Sequence, residues 1–235
     1  MASMHDGHRQ RLKERFLAEG LEHFSDLHVL ELLLFYVVPR RDTHPIAHEL
    51  LRQFGSLRGV MEARPEDLRE VPGLGDGAAT LLTLVPQLLQ RYLRDSQDIG
   101  QILLTTAQCG QYLLPHFFLA REEQVYLLSL DAKCKVLDLR LIQTGSVNTV
   151  GVSVRKVVET ALRAGASSVV LAHNHTSGLA LPSQADQTTT RQVWEALNAV
   201  GIVLADHIIV AGDDFISMSE DGFFDEFPRQ SRGKV

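Results

Sequence analysis

The sequence predicts an α/β (α+β) protein in two parts: an all-helical region over residues 1–95 and an alternating strand–helix region over 103–226. Three observations lead there. Apolar residues up to about residue 95 recur at helical spacing. After about residue 101, short β-branched runs alternate with amphipathic helical patterns. Between the two lies the polar stretch 96–102, which reads as a linker.

The helical region begins with a short basic helix over Gly7–Phe16. Asp26 is expected to cap a strongly apolar helix through Leu27, Leu30, Leu33 and Leu34 that Pro39 stops. Thr43 begins another helix, ended near Gly55, and two shorter helices follow around 56–63 and 65–70. The last helix continues over Thr80–Leu93, kinked at Pro86. Its turn, Val71-Pro72-Gly73-Leu74-Gly75-Asp76-Gly77, resembles a helix-hairpin-helix motif (residues 71–82). In such a turn Gly73, Gly75 and Gly77 let a nucleic-acid backbone approach helix-start N–H groups. The same motif also serves as a plain packing module. Residues 1–95 carry 12 Lys+Arg against 14 Asp+Glu, and Asp76 stands in the turn itself. Any DNA binding is therefore expected to be weak, sequence-independent and salt-sensitive. His44 and His48 share a helix face but lack a third ligand, so no metal site is expected there, nor at His5 or His8.

In the second region a helix is expected over Thr106–Leu113, with strands over Val125–Leu130 and Lys133–Leu141. A helix capped by Ser153 should end at Gly165. A strand over Ser168–Ala172 feeds His173-Asn174-His175, a short loop through Gly178 and Pro182, and a helix from Ser183 to Gly201. Strands over Val203–Val210 and Phe215–Met218 close the region, and the chain from Asp221 reads as a tail. Residues two apart on a strand share a face, so His173 and His175 aim both imidazoles at one point. Asp186, in the first turn of the next helix, can bring its carboxylate to them. Two imidazoles and a carboxylate leave a fourth tetrahedral position open, as in catalytic zinc sites. Ser183-x-x-Asp186 is equally a capping box. His207 reads as a packed strand residue, with a supporting role behind the site as the alternative.

His173-x-His175, a seven-residue gap and Ser183-x-x-Asp186 resemble the JAMM signature of the MPN metalloprotease superfamily. Ala172-His173-Asn174-His175-x-Ser177-Gly178 is similar to the bacterial RadC family in particular, which usually has proline where Thr176 stands. The resemblance extends over nearly the whole chain, including Gly7-His8-Arg9 and Pro39-Arg40. It implies a cytidine-deaminase-like α-β-α sandwich binding Zn2+ through His173, His175 and Asp186, with Ser183 donating to an oxyanion. It also implies an upstream glutamate at a strand start as general base. Aligning the strand on Leu130-Asp131 selects Glu123; Glu122 is the alternative, pointing to the opposite face if the strand has begun. The implied activity is hydrolysis of a peptide or isopeptide bond in a peptide or protein substrate, and the loop Gly145–Thr149 is expected to border the cleft. Alternatives are a metal-dependent enzyme or binding module on DNA, in keeping with the family's association with DNA repair, and a non-catalytic scaffold.

Composition narrows the field further. The 235 residues are 45% hydrophobic and 22% charged, ordinary for a globular chain, and the net charge of −6 argues against a broad basic nucleic-acid surface. No apolar run reaches membrane-span length, and the first residues lack a signal-peptide core, so a cytoplasmic protein without membrane association is expected. Cys109 and Cys134 suit reduced thiols. Oligomeric state and substrate identity leave no mark in the sequence.

Overall fold

The structure is a computed structural model, and it describes residues 4–39, 41–95, 97–145 and 152–227. The expected loop lies outside the described residues from Ser146 onward, as do Arg40, Ser96 and the chain beyond Phe227. The chain divides into two compact units, Met1–Arg91 and Tyr92–Val235.

The first unit is helical: α1 (Met4–Glu19), α2 (Asp26–Leu34), α3 (His44–Phe54), α4 (Leu57–Glu62), α5 (Pro65–Arg69) and α6 (Asp76–Asp95), which runs past the end of the unit. Asp26 is not the cap of α2. Ser25 is, accepting from His28 N, while the Asp26 carboxylate accepts from Leu57 N at 2.9 Å. Asp26 is already helical, so its side chain is free to tie α2 to the start of α4. The helices bury an aliphatic core that includes Leu30, Leu34, Leu50, Val60, Leu68 and Leu82, and Leu12 of α1 joins Leu32 and Phe35 in a smaller cluster. At the α5–α6 turn Gly73 takes φ +86°, and a Cβ there would stand 3.2 Å from the Arg41 guanidinium. Glycine is therefore required at this position. Arg69 holds Asp76 at 2.9 Å.

The second unit places helices on both faces of a five-stranded sheet. In chain order come α7 (Thr106–Phe117), β1 (Gln124–Leu130), β2 (Val136–Thr144), α8 (Val154–Ala164), β3 (Ser168–Asn174), α9 (Gln184–Ala199), β4 (Val203–Ala211) and β5 (Asp214–Ser217). Spatially the strands run β2-β1-β3-β4-β5; β3 and β4 are parallel, and the other pairs are antiparallel. Side-chain alternation divides the core. Val125, Leu127, Val169 and Leu171 join the cluster under α8 and α9; Tyr126, Leu128, Val170 and Ala172 join the cluster under α7. His173 has the parity of Leu171, so it faces the α9 side, where Asp186 begins that helix.

β4 departs from simple alternation. Val169 pairs with Leu204, but Val170 pairs with Asp206, so Ala205 is an extra residue in the ladder. This bulge inverts the parity of β4. Leu204 lies in the α8/α9 cluster, whereas Ile208 and Val210 lie in the α7 cluster. His207 is thereby turned toward α9.

The end of the unit also departs from expectation. Phe223–Glu226 form a 3-10 turn, and Phe227 is buried with its ring stacked on Trp194 at 4.8 Å. The aromatic content of this segment explains why it packs, and residues 221–227 are not a tail. Cys109 and Cys134 are free. Burial raises the Cys109 thiol to about 11, with Asp206 and Cys134 adding to the effect, so it is not a reactive thiolate. Among the described residues no helix is long and apolar enough to cross a membrane.

Candidate metal centre

Three side chains meet where β3 ends and α9 begins. His173 is the penultimate residue of β3 and is buried; His175 follows the strand, its backbone N–H donating to Val210 O at 2.8 Å. That bond prolongs the parallel pairing by one residue and keeps both imidazoles on one side. His175 Nδ1 lies 3.1 Å from Leu179 O, which leaves Nε2 directed inward. Asp186 is buried, 2% exposed, three residues into the α9 region from its cap Ser183. His173 Nε2 and His175 Nε2 are 2.9 Å apart. They stand 3.1 and 3.2 Å from Asp186 Oδ1 and Oδ2 respectively. Among the described residues these three form the one group of His, Cys, Asp or Glu donors spaced to hold a metal ion.

The capping box and the cluster coexist. Ser183 Oγ accepts from Asp186 N at 3.2 Å, and Asp186 Oδ2 accepts from Ser183 N at 2.7 Å. Ser183 Oγ also donates to Asp186 Oδ2 at 2.6 Å. These bonds lock the carboxylate toward the histidines. Burial would raise the Asp186 pKa, but hydrogen bonds from His173 and Ser183 outweigh it and hold the carboxyl well below the usual range. The acid is ionised at neutral pH.

The cluster opens into a cleft of about 350 Å3 whose wall includes Glu123, Thr176, Leu179, Leu181 and Ser183. Glu123 immediately precedes β1, and its carbonyl accepts from Gly145 N at 2.8 Å. Glu122 is exposed and does not line the cleft. Of the two glutamates weighed from the sequence, Glu123 is the one that lines the cleft. Gly73, Gly75 and Gly77 lie in the helical unit, at the α5–α6 turn and the start of α6.

Three residues near the cluster have parts that spacing did not reveal. Asn174 Oδ1 accepts from Gln124 N at 2.7 Å and its Nδ2 donates to Glu122 O at 3.2 Å, fixing the backbone on either side of Glu123. A polar residue between two histidines at a strand end was the available signal. His207 is not plain packing: its Nε2 lies 2.9 Å from His173 Nδ1, because the Ala205 bulge turns it to this face. Thr190 Oγ1 lies 2.6 Å from His207 Nδ1. Burial, then the charge of His173, drives the His207 pKa well below its ordinary value. Burial likewise raises the Asp206 carboxyl, which Ser217 Oγ and the N–H groups of Ser219 and His207 hold in place.

A helix-flanked sheet carrying a His-His-Asp cluster at the end of a central strand defines a domain of the JAB/MPN type, a family of metal-binding, typically hydrolytic domains. Residues 103–223 match the family described as RadC-like JAB domain, and residues 5–80 match UPF0758 N-terminal. The chain is 31% identical over 223 residues to UPF0758 protein FN0909 of Fusobacterium nucleatum subsp. nucleatum, covering 92% of this chain and 96% of that protein. The chain belongs to the RadC family.

Proposed function

We propose that the chain is a zinc-dependent hydrolase of the JAMM type acting on a peptide or isopeptide bond. The observation that carries this reading is the convergence of two imidazole nitrogens and one carboxylate within 3.2 Å, at a cleft that Glu123 also lines. The donor set fits zinc. Bonds of about 2.0–2.1 Å give a tetrahedral edge of about 3.3–3.4 Å, close to the separations here. Nitrogen and oxygen donors, with no thiolate, suit a catalytic rather than a structural ion. Zinc at such a set supplies Lewis acidity and an activated water.

The chain's own residues then divide the work. Glu123 at the cleft wall accepts a proton from the attacking water and returns it to the leaving amine. Asn174 holds the backbone that presents Glu123. Ser183 lines the cleft, but its one hydroxyl proton is given to Asp186 Oδ2. To donate to an oxyanion the hydroxyl must first leave Asp186, so we assign Ser183 first to orienting the carboxylate. A donor at an oxyanion is worth about 3 kcal/mol, so full activity in Ser183→Ala would limit the serine to that orienting part.

Purified chain is expected to carry close to one zinc, and His175→Ala to lose it. Glu123→Gln should keep the metal and lose hydrolysis of an isopeptide-linked or peptide library. An unchanged rate in that variant would reassign the base. A DNA substrate, run with and without chelator, tests metal-dependent nucleic-acid chemistry in the same assay. We further propose weak, sequence-independent DNA contact at the α5–α6 turn. It is supported by the open space that a Cβ would meet at Gly75 and Gly77, and by the Arg69 partner that offsets the Asp76 charge. Fluorescence anisotropy on a labelled duplex at two salt concentrations tests it, since phosphate contacts weaken steeply with salt.

A further inference from the structure

Behind the His-His-Asp cluster a chain of hydrogen bonds runs in one direction. Thr190 stands one turn after Asp186 on α9, and its hydroxyl donates to the Asp186 carbonyl at 2.6 Å. The Met218 sulfur, 3.5 Å from the same hydroxyl, is a weak acceptor and does not compete. With its proton committed, the Thr190 oxygen can only accept from His207 Nδ1, 2.6 Å away, so that nitrogen carries the hydrogen. The His207 ring is buried, and its hydrogen-bonding neighbours are Thr190 and His173, neither of them a carboxylate. A second ring proton would leave a buried charge without a counter-ion, so the ring is neutral. Its Nε2 therefore offers a lone pair, and His173 Nδ1 donates to it at 2.9 Å. The remaining His173 nitrogen, Nε2, is the one that faces His175 and Asp186.

We propose that the Thr190–His207 pair is a positioning device for the metal centre. It fixes His173 in the tautomer and ring orientation that present the Nε2 lone pair, and it fastens that ring to the helical turn carrying Asp186. This inference rests on reading the cluster as a metal site. Flipping the His173 ring would place a C–H against the His207 lone pair, and shifting the proton to Nε2 would place two lone pairs together. Both alternatives are disfavoured without any residue touching the ion. One threonine hydroxyl thereby couples the two segments that supply the ligands: α9 through the Asp186 carbonyl, and β3 through His207 on β4.

The experiment uses the full chain stripped of metal, with two readouts. Ring 15N shifts of labelled histidines report the tautomer; competition against a chromophoric chelator reports zinc affinity. Wild type should show His173 protonated at Nδ1. His207→Phe, which removes the acceptor, should weaken zinc binding about 10–100-fold and give His173 a mixture of tautomers. Thr190→Val should move both readouts in the same direction by less. His207→Gln can offer an amide oxygen to His173 Nδ1 and should restore most of the affinity. If the phenylalanine variant does not fold, the valine and glutamine variants decide. Wild-type His173 unprotonated at Nδ1, or affinity and tautomer unmoved in folded His207→Phe and Thr190→Val, overturns the proposal. Wild type that binds no zinc overturns the metal reading instead, and the ring shifts still judge the hydrogen-bond chain.

Discussion

The two units solve burial differently. Among the described residues, the helical unit buries two polar side chains, Glu31 and Thr43, whereas the α/β unit buries nine. Most of the nine stand in two groups: Asn174, His173, Asp186, Thr190 and His207 around the metal centre, and Asp206 with Ser217 beside it. In the helical unit Glu31 Oε1 meets His44 at 3.2 Å and His8 at 3.5 Å, while its Oε2 has no hydrogen-bond partner among the described residues. In the metal-centre group each carboxylate or imidazole has a partner, and three of them converge on one point. Burying polar groups costs free energy unless they are hydrogen-bonded. A fold that buries so many around one sheet therefore invests stability in holding a geometry. The helical unit, with its aliphatic core, invests it in packing alone.

Experiments that separate the units test that contrast, and the largest effect should come from the metal. Zinc at a thousandfold excess over its dissociation constant should stabilise the α/β unit by about 4 kcal/mol. A chelator should remove that protection from β3 and α9 amides in hydrogen exchange and leave α2 and α3 amides as they were. Equal loss in both units would break the distinction. Next, Leu50→Ala and Leu171→Ala, both fully buried, should each cost about 2–5 kcal/mol in their own unit. Only Leu171→Ala, two residues before His173 on the same face, should also weaken zinc binding.

Smaller still are the helix caps. Ser25→Ala and Ser183→Ala should each lose about 1 kcal/mol of urea-unfolding stability. Ser183→Ala alone should loosen zinc, because its hydroxyl also bonds the Asp186 carboxylate. The last test is pH. Burial, with Arg94 nearby, lowers His116 from 6.5 to about 4. The folded state therefore resists the proton that the unfolded chain accepts. This contribution to stability is whole above about pH 6.5 and is lost as pH falls toward 4. The urea midpoint should drop across that window, and His116→Gln should flatten this part of the profile.

Much of the candidate site was legible because it obeys local rules. His173 and His175 are two apart on a strand, and Ser183 and Asp186 are three apart at a helix start; chain periodicity fixes both pairs. Helix ends at Gly55 and Gly165 were legible for the same reason, through the backbone freedom of glycine. The errors were local competitions decided by distant groups. Ser25 and Asp26 are both good caps, and the choice fell to Ser25 because Asp26 was engaged by Leu57 N. Phe227 read as tail until Trp194 supplied a ring to stack on. Strand alignment favoured Glu123 over Glu122, but spacing did not reveal that Asn174 pins the backbone on either side of Glu123.

The sequence by itself determined which atoms could bind an ion, since residue type and spacing set donor chemistry and the face of a single element. It did not determine what stands behind those atoms. By simple alternation from Leu204, His207 belongs on the far face of the sheet, away from His173. One extra residue, Ala205, turns it over, and a bulge is a mismatch between two strands. Such a mismatch exists only once β3 and β4 are paired, so the support of the metal centre was decided by tertiary structure alone.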